Sequence, residues 1–233
     1  MRKKILIFQW FNCKDENRKQ ELIECINHNL KIGFDEIIIH NDSIEPFFYG
    51  ENIRNISTNT RITYRDYIKV VNDPENYGAL VVLTNTDIKI DKKILILEAS
   101  IKEKILFSLS RYENNGILAD APWCTQDVWV ILSQPIHMSV INQCDIQLGL
   151  PGCELRFSEI LFNIGFSVFN PCLDIRNIHL HSNPSSHLDE NRMYGSYLFT
   201  PACTIEDIRS GNKNILPSLQ YLTNFGRGVI TVQ

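Results

Sequence analysis

The stretch Ala79-Leu-Val-Val-Leu-Thr-Asn-Thr-Asp87 decides how this chain folds, because an uninterrupted apolar run ends abruptly in polar residues. A short run of aliphatic and β-branched residues without charge is typical of a strand buried on both faces of a sheet. Ligands of open α/β sheets bind in the crevice outside the carboxyl ends of such strands. We therefore expect Asn85, Thr86 and Asp87 to lie at the edge of the sheet where chemistry takes place.

Two interpretations of this polar end are open. If the chain is still extended there, Asn85 and Asp87 point to the same side. Together they would suit a hard divalent cation, which takes oxygen ligands from few protein groups and completes its shell with substrate phosphates. The alternative is an ordinary turn after a strand, since Asn, Thr and Asp are common turn residues. Taken alone, the segment favours the turn.

Composition restricts the class of protein. The 233 residues include 44% hydrophobic and 21% charged residues, which is typical of a soluble globular protein with a core large enough to fold without disulfides. The net charge of −4 argues against a general nucleic-acid binder. No apolar run approaches the roughly 20 residues that span a bilayer. The basic start, Met1-Arg-Lys-Lys, precedes a short apolar segment without a signal-peptide cleavage site, so we predict a cytoplasmic protein.

The seven cysteines are widely spaced, and no two form a Cys-x-x-Cys pair. We expect most of them to be small buried hydrophobic residues, and they predict no zinc site.

Strand and helix patterns alternate over the first 90 residues. Strands are predicted at 4–10, 35–40, 52–57 and 79–87, an amphipathic helix at 15–32, and a second helix capped by Thr60. This rhythm is typical of βαβ units with parallel strands. It predicts a small doubly wound sheet, the layout that binds nucleotides at its strand ends.

The pattern continues beyond Asp87 with shorter elements. Helices are predicted at 91–104 and at 155–164, the latter closed by Gly165, and strands at 105–110, 125–132 and 166–170. The segment Ile178-His-Leu-His181 is expected to be extended and to place two imidazoles on one face. From Pro201 onward the sequence predicts an irregular tail that ends in a short strand, Val-Ile-Thr-Val, at 229–232.

The order of these motifs resembles the metal-dependent glycosyltransferases of the GT-A fold. The resemblance rests on a nucleotide-binding βαβ half, an Asp-x-Asp-like triplet at 85–87, the turn Gly152-Cys153-Glu154 that opens a helix, and His179-x-His181, in that order over roughly residues 3 to 185. It implies one α/β domain, 1–185, in which helices flank a mostly parallel, twisted sheet. Residues 1–90 would be its nucleotide-binding half and 91–185 its acceptor half, with 186–233 as an extension packed on the same domain.

The resemblance implies an enzyme that moves a sugar from a nucleotide-sugar donor to a hydroxyl acceptor, which is a glycan, a glycoprotein or a small molecule. A divalent metal, Mn or Mg, is the implied cofactor. The expected partners are the donor and the acceptor, with no nucleic acid and no membrane span, and a homo-oligomer is possible.

The resemblance also assigns roles to single residues. Asp87 matches the last Asp of the Asp-x-Asp motif, which holds the metal against the donor diphosphate. Asn85 stands in place of the first Asp and is expected to touch the ribose or sugar. His181 or His179 matches a downstream His that supplies a further metal ligand as neutral imidazole. Glu154 matches the acid that takes the proton of the acceptor hydroxyl in inverting members.

Asp127 competes with Glu154 for the role of base, because it enters a predicted strand beside Trp129, an aromatic residue suited to stacking on a sugar face. Trp129 and Gly152 are therefore expected to contact acceptor or sugar. The residues expected to bind the donor are Gln9, Trp10, Phe11, Arg61, Asn85, Thr86, Asp87 and Arg111. The structural alternatives are core positions for Trp10 and Trp129, a first-turn acid for Glu154 and a surface ion pair for Arg111.

Two other functions compete with sugar transfer. A nucleotidyltransferase on a similar sheet would usually carry a glycine-rich, basic phosphate loop near the first strand, whereas Phe8–Cys13 contains no glycine. A catalytically silent glycan-binding or structural protein of the same fold is kept open by Asn85 and by Cys153, which replaces an acid of the family motif.

Overall fold

The computed structural model describes residues 2–181, 192–193 and 195–222. Its strands are β1 (Lys4–Phe11), β2 (Glu36–Asp42), β3 (Ile53–Thr58), β4 (Leu80–Thr84), β5 (Ile88–Lys89), β6 (Ile105–Tyr112), β7 (Gln126–Leu132), β8 (Ser167–Phe169), β9 (Asn177–His179), β10 (Gly195–Phe199) and β11 (Ser218–Leu222). Its α-helices are α1 (Glu16–Asn29), α2 (Tyr64–Val71), α3 (Met138–Gln143), α4 (Cys153–Asn163) and α5 (Ile205–Ser210). None of the helices in these ranges is long and apolar enough to cross a membrane.

One large sheet organises the described residues. Its strand order is β3-β2-β1-β4-β7-β6-β9-β5, with β8 paired to β6. The strands β1 to β4 are parallel, and β7 runs antiparallel between β4 and β6. The predicted α/β class with a mostly parallel sheet and flanking helices is confirmed. Because β7 is reversed, its amino end meets the carboxyl ends of β1, β4 and β6 at one side of the sheet, which we call the carboxyl edge.

Apolar layers cover both faces of this sheet. On one face α2, α3 and α4 pack over side chains such as Val81, Leu83 and Trp129. On the other face α1 packs over Leu6, Val82 and their neighbours. All five residues of β4 are buried, so the strand expected to be covered on both faces is confirmed.

Two predicted helices differ in the structure. α2 begins after Thr63 rather than Thr60, because Thr63 and Asp66 form a reciprocal capping box. The segment predicted as a helix at 91–104 is a 3-10 helix, Lys92–Ala99. Its buried residues, Ile94 and Leu97, are three apart, the spacing that three residues per turn bring onto one side.

The expectation of an irregular tail after Pro201 is wrong for the described residues. Thr204 caps α5 through a second capping box with Asp207, and β10 pairs with β11 as an antiparallel ladder. Ser196 Oγ of β10 donates to Glu159 Oε1 of α4 at 2.7 Å, which ties this two-stranded sheet to the helix. The strand predicted at 229–232 lies outside the described residues, as do 182–191, 194 and the rest of 223–233.

Candidate functional site

The polar end of β4 is a turn. Ile88 N donates to Asn85 O at 3.3 Å, so the chain reverses between Asn85 and Asp87 and enters β5. Asn85 Nδ2 donates to Asp127 Oδ1 at 2.5 Å, whereas the Asp87 carboxylate contacts groups from α1 and β9. Of the two interpretations of this polar end, the turn that the segment favours is therefore confirmed, and the extended chain with both side chains on one side is wrong.

The groups that contact Asp87 include a histidine at the end of β9. The ladder between β5 and β9 pairs Ile88 with His179, and Leu180 N donates to Asp87 O at 2.9 Å. His179 Nε2 lies 3.1 Å from Asp87 Oδ2, and the rings of His179 and His181 are 5.3 Å apart. The prediction that both imidazoles lie on one side of the strand is confirmed. Asp87, His179 and His181 each offer a ligand atom, and these atoms lie within 4.8 Å of one another.

Arg18 of α1 completes this cluster, and sequence reasoning missed it. Its guanidinium contacts Asp87 Oδ2 and the carbonyl oxygen of Leu180, and it donates to Glu21 Oε2 at 2.8 Å. A signal was present, because Arg18 is four residues before Leu22 and therefore lies on the buried face of the helix. The helix thus delivers a positive charge to the carboxyl edge.

These contacts set the charges of the cluster. Burial alone would raise the pKa of Asp87, but His179 and Arg18 overcome it and lower that pKa to about 2. Burial lowers the pKa of His179, and Asp87 outweighs it, so the net shift is upward. Burial and the nearby charge of Arg18 lower the pKa of His181. Asp87 is therefore ionised and His181 neutral at pH 7, which are the states that bind a metal ion, whereas His179 has to lose the proton that Asp87 favours before it can bind one.

A chain of ion pairs runs from the cluster along the carboxyl edge. Glu113 Oε2 lies 3.4 Å from His179 Nδ1, and Glu113 Oε1 accepts from Arg111 Nε at 3.2 Å. Arg111 Nη1 donates to Asp127 Oδ2 at 2.9 Å. Arg111 is therefore part of an internal network rather than a surface pair, and both oxygens of Asp127 accept hydrogen bonds, one from Arg111 and one from Asn85.

Glu154 lies in the first turn of α4. Burial raises the pKa of Glu154 to about 7, and the charge of Asp127 adds to that rise. The side chain therefore changes charge near neutral pH. Glu154 thus reaches the carboxyl edge from α4 on one face of the sheet, whereas Arg18 reaches Asp87 from α1 on the other face.

The other predicted site residues have mainly structural contacts. Gln9 Oε1 accepts from Ile62 N at 3.2 Å, and Thr86 Oγ1 donates to Gln9 O at 2.6 Å. Trp10 is buried, and Phe11 is partly buried at the end of β1. Arg61 precedes α2, where its Nη1 donates to Leu148 O at 3.3 Å.

The expectation that Trp129 contacts a sugar is wrong. Only 1% of Trp129 is exposed, and its ring packs edge-on against Tyr64 with a centroid distance of 5.0 Å. All residues of β7 are buried, so a ligand cannot reach the indole ring of Trp129.

Gly152 positions Glu154 through its backbone. Its φ of +86° is in the left-handed region, and a Cβ there would approach the Tyr197 hydroxyl oxygen to 2.6 Å. Only glycine allows α4 to begin at this place against β10.

Gly152→Ala is therefore expected to lower the free energy of unfolding by about 2–4 kcal/mol, from the positive φ and the overpacking together. Gly165→Ala is the matched control, because Gly165 has a φ of +89° but nothing within 4 Å of the place that a Cβ would take. It should cost only about 1–2 kcal/mol. Urea denaturation measures both losses, and equal losses would contradict the role assigned to Tyr197.

Comparison of the sequence with protein-family models and with curated proteins gives no match. The function is therefore inferred from the geometry of the site.

Proposed function

We propose that the protein is a glycosyltransferase of GT-A type that transfers a sugar from a nucleotide-sugar to a hydroxyl acceptor with the help of a divalent metal. The observation that carries this proposal is the cluster of Asp87, His179 and His181 at the carboxyl edge of a mostly parallel sheet. Ligands of such sheets bind at this edge.

The ligand atoms of this cluster favour Mn²⁺ over Mg²⁺. Mg²⁺ prefers oxygen ligands in a strict octahedron, whereas imidazole nitrogens suit first-row transition metals. One carboxylate and two imidazoles therefore fit Mn²⁺ better than Mg²⁺. When bound, the cation neutralises the charge that develops on the leaving nucleoside diphosphate.

Arg18 supports the same step from the protein side. Its guanidinium keeps Asp87 ionised and adds a positive charge beside the place of the phosphates. Guanidinium groups bind phosphate oxygens through two parallel hydrogen bonds, so Arg18 is suited to contact the diphosphate directly.

Glu154 fits the role of base better than Asp127. Both oxygens of Asp127 already accept hydrogen bonds, whereas the pKa of Glu154 is about 7 and matches proton uptake at neutral pH. As the acceptor oxygen bonds to the anomeric carbon, its proton passes to the Glu154 carboxylate. The bond from that carbon to the diphosphate breaks, and its electron pair leaves with the diphosphate.

A thermal-shift panel tests the proposal. Nucleoside diphosphates, nucleoside triphosphates and nucleotide-sugars are each added with Mn²⁺, with Mg²⁺ and with EDTA. A ligand at about 100 times its Kd stabilises the fold by about 2.7 kcal/mol. We expect a Mn²⁺-dependent shift with one diphosphate and its nucleotide-sugar.

The outcomes of the panel separate the competing functions. A shift with a triphosphate but with no diphosphate or nucleotide-sugar would favour a nucleotidyltransferase. Binding of a nucleotide-sugar without turnover on any acceptor would favour the catalytically silent protein. If no nucleotide shifts the melting temperature, the protein does not have the proposed nucleotide-sugar site.

A further inference from the structure

An exposed tryptophan lies at the carboxyl edge. The 3-10 turn Pro122–Cys124 comes directly before β7, so it sits at the same end of the strand as Asp127. Trp123 is 46% exposed, whereas Trp10 and Trp129 are 3% and 1% exposed. Among the three tryptophans of the chain, only Trp123 therefore has a ring that a ligand can reach.

Buried polar groups hold this turn in place. The Pro122 carbonyl oxygen accepts from Ser110 Oγ, from Asn170 Nδ2 at 2.9 Å and from Gln126 Nε2 at 3.2 Å. Thr200 N, which follows β10, donates to Trp123 O at 3.3 Å. Because the backbone beneath Trp123 is fixed from several elements, little conformational freedom is lost when a ligand packs on the ring.

The turn lies on the Glu154 side of the carboxyl edge. Thr200, whose backbone N–H donates to Trp123 O, directly follows β10, and β10 packs on α4, whose first turn carries Glu154. In agreement with this placement, burial and the Glu154 charge together raise the pKa of the Cys124 thiol, and Arg192 and Arg111 oppose them. The acceptor hydroxyl must approach Glu154, whereas the diphosphate belongs with Asp87, whose partner Arg18 comes from α1 on the opposite face of the sheet. Trp123 is therefore placed to contact the acceptor.

We propose that the acceptor is a saccharide and that its sugar ring stacks on the indole of Trp123. A pyranose has one face of C–H groups and a rim of hydroxyls, which matches an indole that is apolar on its face and carries an N–H donor at its edge. This inference rests on the proposed function, because Glu154 as the base is what assigns this side to the acceptor.

Acrylamide quenching of intrinsic fluorescence tests the stacking directly, since acrylamide reaches Trp123 and hardly reaches the two buried tryptophans. The probes are methyl α- and β-glycosides of glucose, galactose, mannose, N-acetylglucosamine and rhamnose, and disaccharides of these sugars, each with and without Mn²⁺ and the nucleoside diphosphate. We expect saturable protection by at least one saccharide. Phe replacement of Trp123 (W123F) should remove the protected signal.

Kinetics of variants provide the second readout. Trp123→Ala should raise the acceptor KM at least tenfold, leave kcat within threefold and leave the nucleotide-induced thermal shift unchanged, and W123F should recover most of the KM. Tyr77→Ala is the matched control, because Tyr77 is 45% exposed and precedes β4 at the opposite edge of the sheet. It should change none of these quantities.

The outcomes distinguish the two proposals. Suppose that nucleotides raise the melting temperature of the wild type but no saccharide protects Trp123, or that Trp123→Ala keeps the acceptor KM. Trp123 then does not bind a saccharide acceptor, and the proposed function stands. If no nucleotide shifts the melting temperature while a saccharide still protects Trp123, the proposed function fails, and Trp123 binds a saccharide that is not an acceptor.

Discussion

Asp87→Asn is expected to lower kcat/KM for sugar transfer by about 10³-fold, or about 4 kcal/mol, and to abolish Mn²⁺-dependent stabilisation by the nucleoside diphosphate. The substitution keeps the shape of the side chain but removes the charge of the one carboxylate in the cluster with His179 and His181. An initial-rate assay and the thermal-shift panel measure the two effects. Glu103→Ala, an exposed acid just before β6 at the opposite edge, is the control and should change neither.

Substitution of Arg18, the other partner of this ion pair, is expected to have the opposite effect on metal binding. Arg18→Gln also breaks the contact between Arg18 and Asp87, yet it should strengthen binding of Mn²⁺ in the absence of nucleotide by about tenfold, or about 1.4 kcal/mol. The reason is that a guanidinium bound to Asp87 competes with a cation for the same carboxylate oxygen. Electron paramagnetic resonance of free Mn²⁺ measures the affinity directly.

Two results would count against this account. If Asp87→Asn and Arg18→Gln weaken Mn²⁺ binding equally, the ion pair is a structural contact and Asp87 is not a metal ligand. Arg54→Gln removes a 2.8 Å ion pair with Glu36 at the other end of the sheet and should leave metal affinity unchanged. A change in that control would indicate a general effect of net charge.

Glu154→Gln is expected to reduce kcat by about 10²- to 10⁴-fold, the usual contribution of a positioned general base. The nucleotide-induced thermal shift should persist, because Glu154 comes from α4, on the face of the sheet opposite α1, which brings Arg18 to Asp87. Since the base acts in its ionised form, kcat/KM of the wild type should rise with pH and level off above about pH 7, the pKa of Glu154. The variant should lose this dependence. If Asp127→Asn removes it instead, Asp127 is the base.

The same pKa predicts a change in stability with a defined sign. The folded protein holds the Glu154 proton more tightly than the unfolded chain, since the pKa rises from 4.5 to about 7. The wild type therefore loses stability as the pH rises from about 4.5 to about 7, and the loss is constant above that range. Relative to the wild type, Glu154→Gln should be more stable at pH 8 than at pH 4.5. Thermal melts of both proteins across this range measure the difference, and parallel curves would contradict the burial of Glu154.

Local patterns predict most of the sheet. The uncharged run of β4, the apolar repeats of α1 and the spacing of the two histidines each depend on residues a few positions apart, and the structure confirms all three. α2 begins after Thr63 rather than Thr60 because Asp66 completes its capping box, which is itself a local pattern. The segment Lys92–Ala99 differs in type because a 3-10 helix brings Ile94 and Leu97 onto one buried side.

Two tryptophans show the limit of local patterns. The sequence offers Trp129 as a sugar contact, because it follows Asp127 by two residues, or as a core residue. The core position is confirmed, because β7 lies between β4 and β6 and is buried along its whole length. Trp123 shows no periodicity, and only its place before β7 exposes it. Which indole faces solvent is set by what packs around it, not by its neighbours in the chain.

The sequence by itself determined the class of fold, the edge of the sheet where polar residues collect, and the placement of Asp87, His179 and His181 as candidate ligands. The first two follow from hydrophobic periodicity and from the alternation of side chains along extended chain, which are local properties, whereas the two histidines are candidate metal ligands through the resemblance to GT-A glycosyltransferases. Only the tertiary structure decided that Arg18 reaches Asp87, 69 residues away, and that the pKa of Glu154 is about 7. Ion pairing and burial depend on groups that the fold brings together from distant parts of the chain, so no local pattern could contain them.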